Sequence, residues 1–396
     1  MRHINLLSFI ILLMALLSGG CNKPESSSGK LFIDLSDNTE RSDNLSPEIE
    51  KIEFFQISDD IPIDKIMNPQ LAHDRIIFHH KGGNYSSQSL GIVAIDLEGN
   101  FLWNYDKKGK GPGEFEYISY FTYLPFSDQI IVNDDRLKRL NYLNLDGSFI
   151  RSTKFENKGN SAAELPNGNL VINMDIKRQG YGSTLDLQHD LIFLEENLQT
   201  IQSFLPHRHN GIGFFWFGET LLRGEKQLLY TNSLQYTIFN ITPEGVDSTW
   251  KLDFGAYNAD TARYLHPQSH DESMMDAEVD EVVAFRLVHS AKNLWVFVPL
   301  GQKKHKLAVI NKKTRNITYY QKPEEGHFLY NGIPVPMFYL TQNGNKLVYS
   351  ISALDAIENW DKLSDEQQVA SDQDWKKLME NLDPESNPII CVLQPK

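Results

Sequence analysis

The chain has 396 residues, a formal charge of −14, 41% hydrophobic residues and two cysteines. The acidic surplus argues against nucleic acid or an anionic membrane surface as a partner, because both repel a polyanion. Two cysteines cannot build a disulfide framework, so an apolar core must hold the chain, and its length is ample for one.

The first elements are an address. Met1-Arg2-His3 is a short basic start, followed by the twelve-residue apolar run LLSFIILLMALL (6–17). A membrane-spanning helix needs about 20 apolar residues, so this run has the dimensions of a signal-peptide core. It ends in LSGGC, with Ser18, Gly19 and Gly20 before Cys21. This resembles the lipobox of bacterial lipoproteins, in which the cysteine is lipidated and becomes the mature N-terminus. Residues 1–20 therefore read as a lipoprotein signal peptide and 21–30 as a polar, serine-rich tether. With Cys21 acylated, Cys391 in the apolar run PIICVLQP has no disulfide partner and reads as a buried, inert thiol.

Further along, strand signals recur. AIDLEGNFL (94–102) and YLNLDGSFI (142–150) each read as strand, tight polar turn, strand. The outline returns in FLEENLQTI (193–201), IFNITPEGV (238–246) and VINKKTRNI (309–317), with starts 48, 51, 45 and 71 residues apart. Ahead of each hairpin lies a polar turn and a buried-looking strand: AHDRIIFHH (72–80), FSDQIIVND (126–134), PNGNLVINM (166–174), GEKQLLYTN (224–232) and AKNLWVFVP (291–299). A sixth, NGNKLVYSI (343–351), has no hairpin after it. PIICVLQP near the C-terminus and EKIEFFQIS (50–58) near the N-terminus supply what it lacks, if the ring closes by pairing them. A period near 45–50 residues with four strands per unit predicts a β-propeller.

KGKGPGEFEY (108–117) raises the question of a phosphate loop. The residue after Lys110 is glycine, not the Ser or Thr a P-loop requires, and the spacing is not G-x-G-x-x-G. EYISYFTYL follows, β-branched and aromatic, a strand and not the helix whose N-terminus would receive an anion. The glycines read as a corner between blades.

GKGPGEFEYISYFTYLPFSDQIIVNDDRLKRLNYLNLDGSFI resembles an NHL repeat, and the whole is similar to six-bladed, NHL- or TolB-like propeller lipoproteins of Gram-negative envelopes. ESNPIICVLQPK resembles that family's closing strand. The resemblance implies a fold and a location, with no catalytic residue to carry over.

Two inserts interrupt the repeat. Residues 256–281 are polar with a short helical signal. Residues 353–382 are helical, with Ser371 as an N-cap and Trp375, Leu378, Met379 and Leu382 on one apolar face turned to the propeller. Asp134-Asp135-Arg136 reads as a structural turn, and one of His79 and His80 as packed or hydrogen-bonded in the channel. His207 with His209, and His266 with His270, lack the third ligand a zinc site requires. FFWF (214–217) reads as interblade core, with Trp216 the member placed to line a ligand surface.

These elements predict an all-β protein: one six-bladed β-propeller over 31–396, closed by its terminal strands, with small helical inserts. The expected role is a lipid-anchored binding or interaction module of the cell envelope, on the outer membrane, with no cofactor. A propeller hydrolase or lyase acting at the channel mouth is the alternative, and a scaffold subunit a third reading. Partner contact, with a protein or small molecule, is expected on the rim of long connections, through Arg178, Tyr181, His207, Arg208, His209 and Trp216.

Overall fold

Antiparallel four-stranded meanders dominate the computed structural model. It describes residues 29–36, 42–82, 89–156, 159–174, 189–195, 197–206, 220–224, 227–231, 236–260, 281–282, 285–300, 304–322 and 327–396. The first meander runs Lys65–Ala72, Arg75–Lys81, Ser89–Asp96, Phe101–Tyr105. The second runs Ile118–Leu124, Gln129–Asp134, Arg139–Asn144, Phe149–Lys154. The third runs Gly159–Glu164, Leu170–Met174, His189–Leu194, Thr200–Pro206. The fourth is Leu221–Arg223, Leu228–Thr231, Thr237–Thr242, Gly245–Asp253, and the fifth Arg286–His289, Asn293–Leu300, Lys304–Asn311, Ile317–Gln321. The sixth joins Thr341–Asn343, Lys346–Ile351 and Ile389–Pro395 to Ile49–Gln56 from the other end of the chain.

The recurrent segments of the sequence fall where expected. The six polar-turn-and-strand features supply the second strands, and the five hairpins the third and fourth. Closure by the terminal strands is also present, with Ile49 opposite Pro395 and Gln56 opposite Ile389. Six separate four-stranded sheets, however, are not found. Four meanders are self-contained sheets, while the fourth and sixth merge into one nine-stranded sheet. The weld is a single parallel pair, Arg223 with Asn343, reinforced by Gly344 N donating to Arg223 O at 2.9 Å.

Hydrophobic clusters fill the junctions between successive meanders, which gives the propeller-like arrangement. Ile77, Ile92 and Phe121 join the first to the second, and Ile131, Leu140 and Ile172 the second to the third. Val171, Phe193 and Tyr230 join the third to the fourth, and Ile238, Leu287 and Val296 the fourth to the fifth. Trp295, Phe297 and Tyr349 join the fifth to the sixth, and Phe78, Val348 and Ile390 return to the first. Side-chain amides stitch the inner strands: Tyr123 N donates to Gln70 Oε1 at 2.8 Å, and Leu71 N to Asn343 Oδ1 at 3.1 Å.

The helical insert comprises α1 (Ala353–Asp361), α2 (Asp365–Ala370) and α3 (Gln373–Met379). Trp375, Met379 and Leu382 are buried against the sixth meander, as the spacing predicts. The cap differs: Asp372 accepts from Asp374 N and Trp375 N, while Ser371 ends α2 and donates its hydroxyl to Gln367 O. Two cap-competent residues in a row leave the choice to packing.

Gly29–Phe32 is a strand lying parallel to Gly245–Asp253, with Gly29 opposite Trp250, and Ile33 and Leu35 are buried beyond it. Cys391 is buried, and that burial pushes its thiol up to about 12. Among the described residues no helix is long and apolar enough to cross a membrane.

Candidate functional site

Strand alternation sorts the connections onto two rims. Links between first and second strands, and between third and fourth, are tight turns such as Glu98-Gly99 and Asp146-Gly147. Links from second to third strands, and from one meander to the next, leave on the opposite side. The helical insert, between Lys346–Ile351 and Ile389–Pro395, leaves from that side. Cys21 and the expected site residues Arg178, Tyr181, His207, Arg208, His209 and Trp216 lie outside the described residues, as do His266, His270 and the run 214–217.

At the junction of the third and fourth meanders two polar pairs meet the ends of described strands. Asn173, next to Met174 where 175–188 begins, donates Nδ2–H to Thr220 Oγ1 at 2.6 Å. Thr220 follows 207–219, and its carbonyl accepts from Thr231 N at 3.1 Å, where 232–235 begins. Tyr230 donates its hydroxyl to the carboxylate of Asp190, and both residues are buried. Burial first, and then the Asp190 charge, push the Tyr230 phenol well above its usual range, so it stays protonated. Beyond 232–235, Tyr236 accepts Ala259 N at 2.7 Å and donates to Val282 O, fixing both flanks of 261–280.

Asp190 and Tyr230 were not legible in the sequence, because they come from different meanders and meet only through ring packing. The available signal was a polar residue beside an apolar run, Asp190 before LIFL and Asn173 inside LVINM. Within this junction the Tyr230 hydroxyl and the Asn173 amide are both spent on protein acceptors, Asp190 and Thr220. Among the described residues no three His, Cys, Asp or Glu side chains gather as a metal site.

The glycine corner holds itself. Gly111 N donates to Glu114 Oε2 at 2.6 Å, Gly109 N to Phe115 O at 3.0 Å, and Glu116 N to Asp134 Oδ2 at 2.7 Å. Arg139 Nη2 donates to the carbonyls of Gly111 and Glu114. These amides point inward at protein acceptors, so the corner reading stands. Gly113 has φ +71°, a conformation that side chains rarely adopt. Asp134 is wholly buried and also accepts Arg136 N and Leu137 N, a structural turn as expected. His79 pairs with Ser89 Oγ at 2.8 Å, but from a second strand, so it is packed within the first sheet and does not line the axis.

The fold has counterparts among solved structures. A Bacteroides fragilis protein described as exported aligns with a TM-score of 0.70 at 13% identity, over 93% of this chain and 100% of its own. A DUF4221 family member from Bacteroides vulgatus gives 0.48 at 12% identity, over 88% and 97%. A virginiamycin B lyase from Staphylococcus aureus gives 0.39 at 12% identity, over 76% and 82%. No curated protein matches the chain. The family model described as domain of unknown function DUF4934 matches residues 32–394, nearly the whole ring from the docked N-terminal strand to the closing one, and the chain belongs to that family.

Proposed function

We propose that this protein is a lipid-anchored, six-bladed propeller of the outer membrane that binds a protein or small-molecule partner at its long-connection rim. The count of six rests on dividing the nine-stranded sheet at its single Arg223–Asn343 pair, and each meander then meets two neighbours through an apolar cluster. The anchor rests on the LSGGC box at Cys21, and the envelope address agrees with the exported description of the Bacteroides fragilis protein of like fold. The observation that carries the binding reading is the pairing of Asn173 with Thr220 and of buried Tyr230 with buried Asp190 at the junction of the third and fourth meanders.

Affinity capture from detergent-solubilised envelopes tests it. Arg208→Ala with Trp216→Ala is expected to weaken recovery of the captured partner while melting stays unchanged. Equal loss from Glu98→Ala or Asp146→Ala, on the tight-turn rim, overturns the reading.

A further inference from the structure

The net charge of −14 is unevenly spread. Residues 352–388 carry ten acids and three bases, a net of −7, half of the total. On the tight-turn rim the fifth meander is the reverse. Its two turns, Ser290–Lys292 and Asn311–Asn316, hold Lys292, Lys312, Lys313 and Arg315 and no acid. They touch, since Lys312 N donates to Lys292 O at 2.9 Å. Lys292, Lys313 and Arg315 are exposed, and the Lys312 ammonium is tied to Ser290 O. Nearby acids are fewer: Glu48, engaged by the Tyr320 hydroxyl at 2.7 Å, and the exposed Glu244 and Asp247 of the fourth meander.

The basic turns adjoin the place where the N-terminal segment docks. The Arg315 guanidinium lies 3.8 Å from the centre of the Trp250 ring, and Trp250 is the residue opposite Gly29. Gly29–Phe32 runs parallel to Gly245–Asp253, a strand that starts at the tight-turn rim. The chain therefore enters this strand from the tight-turn side. Cys21 precedes Gly29 by eight residues, which span at most about 28 Å when extended.

We infer that the tight-turn rim of the fifth meander faces an anionic phospholipid surface, with the exposed Lys292, Lys313 and Arg315 against the headgroups and the long-connection rim turned away. This rests on the lipid anchor proposed above. One acyl signal gains firm hold and a set orientation when a basic patch lies beside it, and each base near an anionic surface adds to the attraction. Net charge hides such a patch because screening confines attraction to about 10 Å at ordinary salt.

The test uses the full acylated chain in vesicles of phosphatidylcholine with or without phosphatidylglycerol, carrying a headgroup-level nitroxide quencher. A thiol fluorophore is placed at Thr314→Cys, in the basic turn, or at Asp106→Cys, on the opposite rim; buried Cys391 stays unlabelled. In anionic vesicles the label at 314 is expected to be quenched and that at 106 spared. Lys292→Glu with Lys313→Glu, or salt raised to about 1 M where screening shortens to about 3 Å, is expected to abolish the difference while the protein stays anchored. Equal quenching at both positions, stronger quenching at 106, or quenching at 314 indifferent to phosphatidylglycerol overturns the inference. A chain that fails to float with vesicles of either kind overturns the anchor itself and the inference with it.

Discussion

Trp375 meets Phe54 edge-on, with ring centroids 5.2 Å apart and an interplanar angle of 85°. One ring belongs to α3 and the other to the strand that closes the sixth meander, so the insert is part of the wall that seals the ring. Trp375→Ala is expected to cost about 3–5 kcal/mol in urea unfolding, the usual range for removing a buried tryptophan. Trp375→Phe should cost clearly less, because the indole Nε1 has no hydrogen-bond partner to lose. Equal losses from the two would show that the edge-on ring contact is not what matters there.

Removing residues 388–396 takes out the strand held between Lys346–Ile351 and Ile49–Gln56. Ile389, Ile390, Cys391, Val392 and Leu393 are all buried. At about 1.5–3 kcal/mol each, their burial is worth about 10 kcal/mol, comparable with a domain's whole stability of about 5–15 kcal/mol. The truncated chain is expected to lose its cooperative calorimetric transition. A melt within a few degrees of the intact protein would contradict closure by these strands.

Burial lowers the pKa of His79 to about 3, with Lys81 and His80 adding to the effect. The unfolded chain then binds a proton that the folded one refuses between about pH 6.5 and pH 3. The stability contributed by neutral His79 is complete above pH 6.5 and drains away as pH falls through that window, by up to about 1.4 kcal/mol per pH unit. His289, lowered to about 4 mainly by burial, acts in the same direction. Urea midpoints measured from pH 7 to pH 4 should fall, and His79→Gln should flatten the slope by close to one proton. An unchanged slope in that variant would place the linkage elsewhere.

Cys21→Ser is expected to abolish lipidation and to leave the protein either uncleaved or, once the signal segment is removed, in the aqueous phase of a Triton X-114 partition. A variant that still enters the detergent phase after signal removal would refute lipidation at this cysteine.

Much of the ring was legible because its instructions are local. Alternation and Asp-Gly turns mark hairpins within ten residues, and LEGN and LDGS place Gly99 and Gly147 at φ +87° and +80°. The closing pair of terminal strands was also readable, since an unpaired apolar strand at each end has few other places to go. The hairpin Phe328–Tyr330 with Ile333–Val335 had a local signal too, the Asn331-Gly332 turn, but lay outside the period.

What only the tertiary structure decided are contacts between segments distant in sequence. GKLF carries little strand signal of its own, and Gly29–Phe32 becomes a strand because Trp250 to Asp253 offer an open edge more than two hundred residues away. The Arg223–Asn343 weld joins first strands of two different meanders, which no single repeat contains. Asp190 and Tyr230, and Arg315 over Trp250, are likewise brought together by the packing of separate meanders. Local propensity determines which residues turn and which extend, while the meetings that make a site depend on how the meanders pack about their axis, where side chains from separate repeats share one desolvated space.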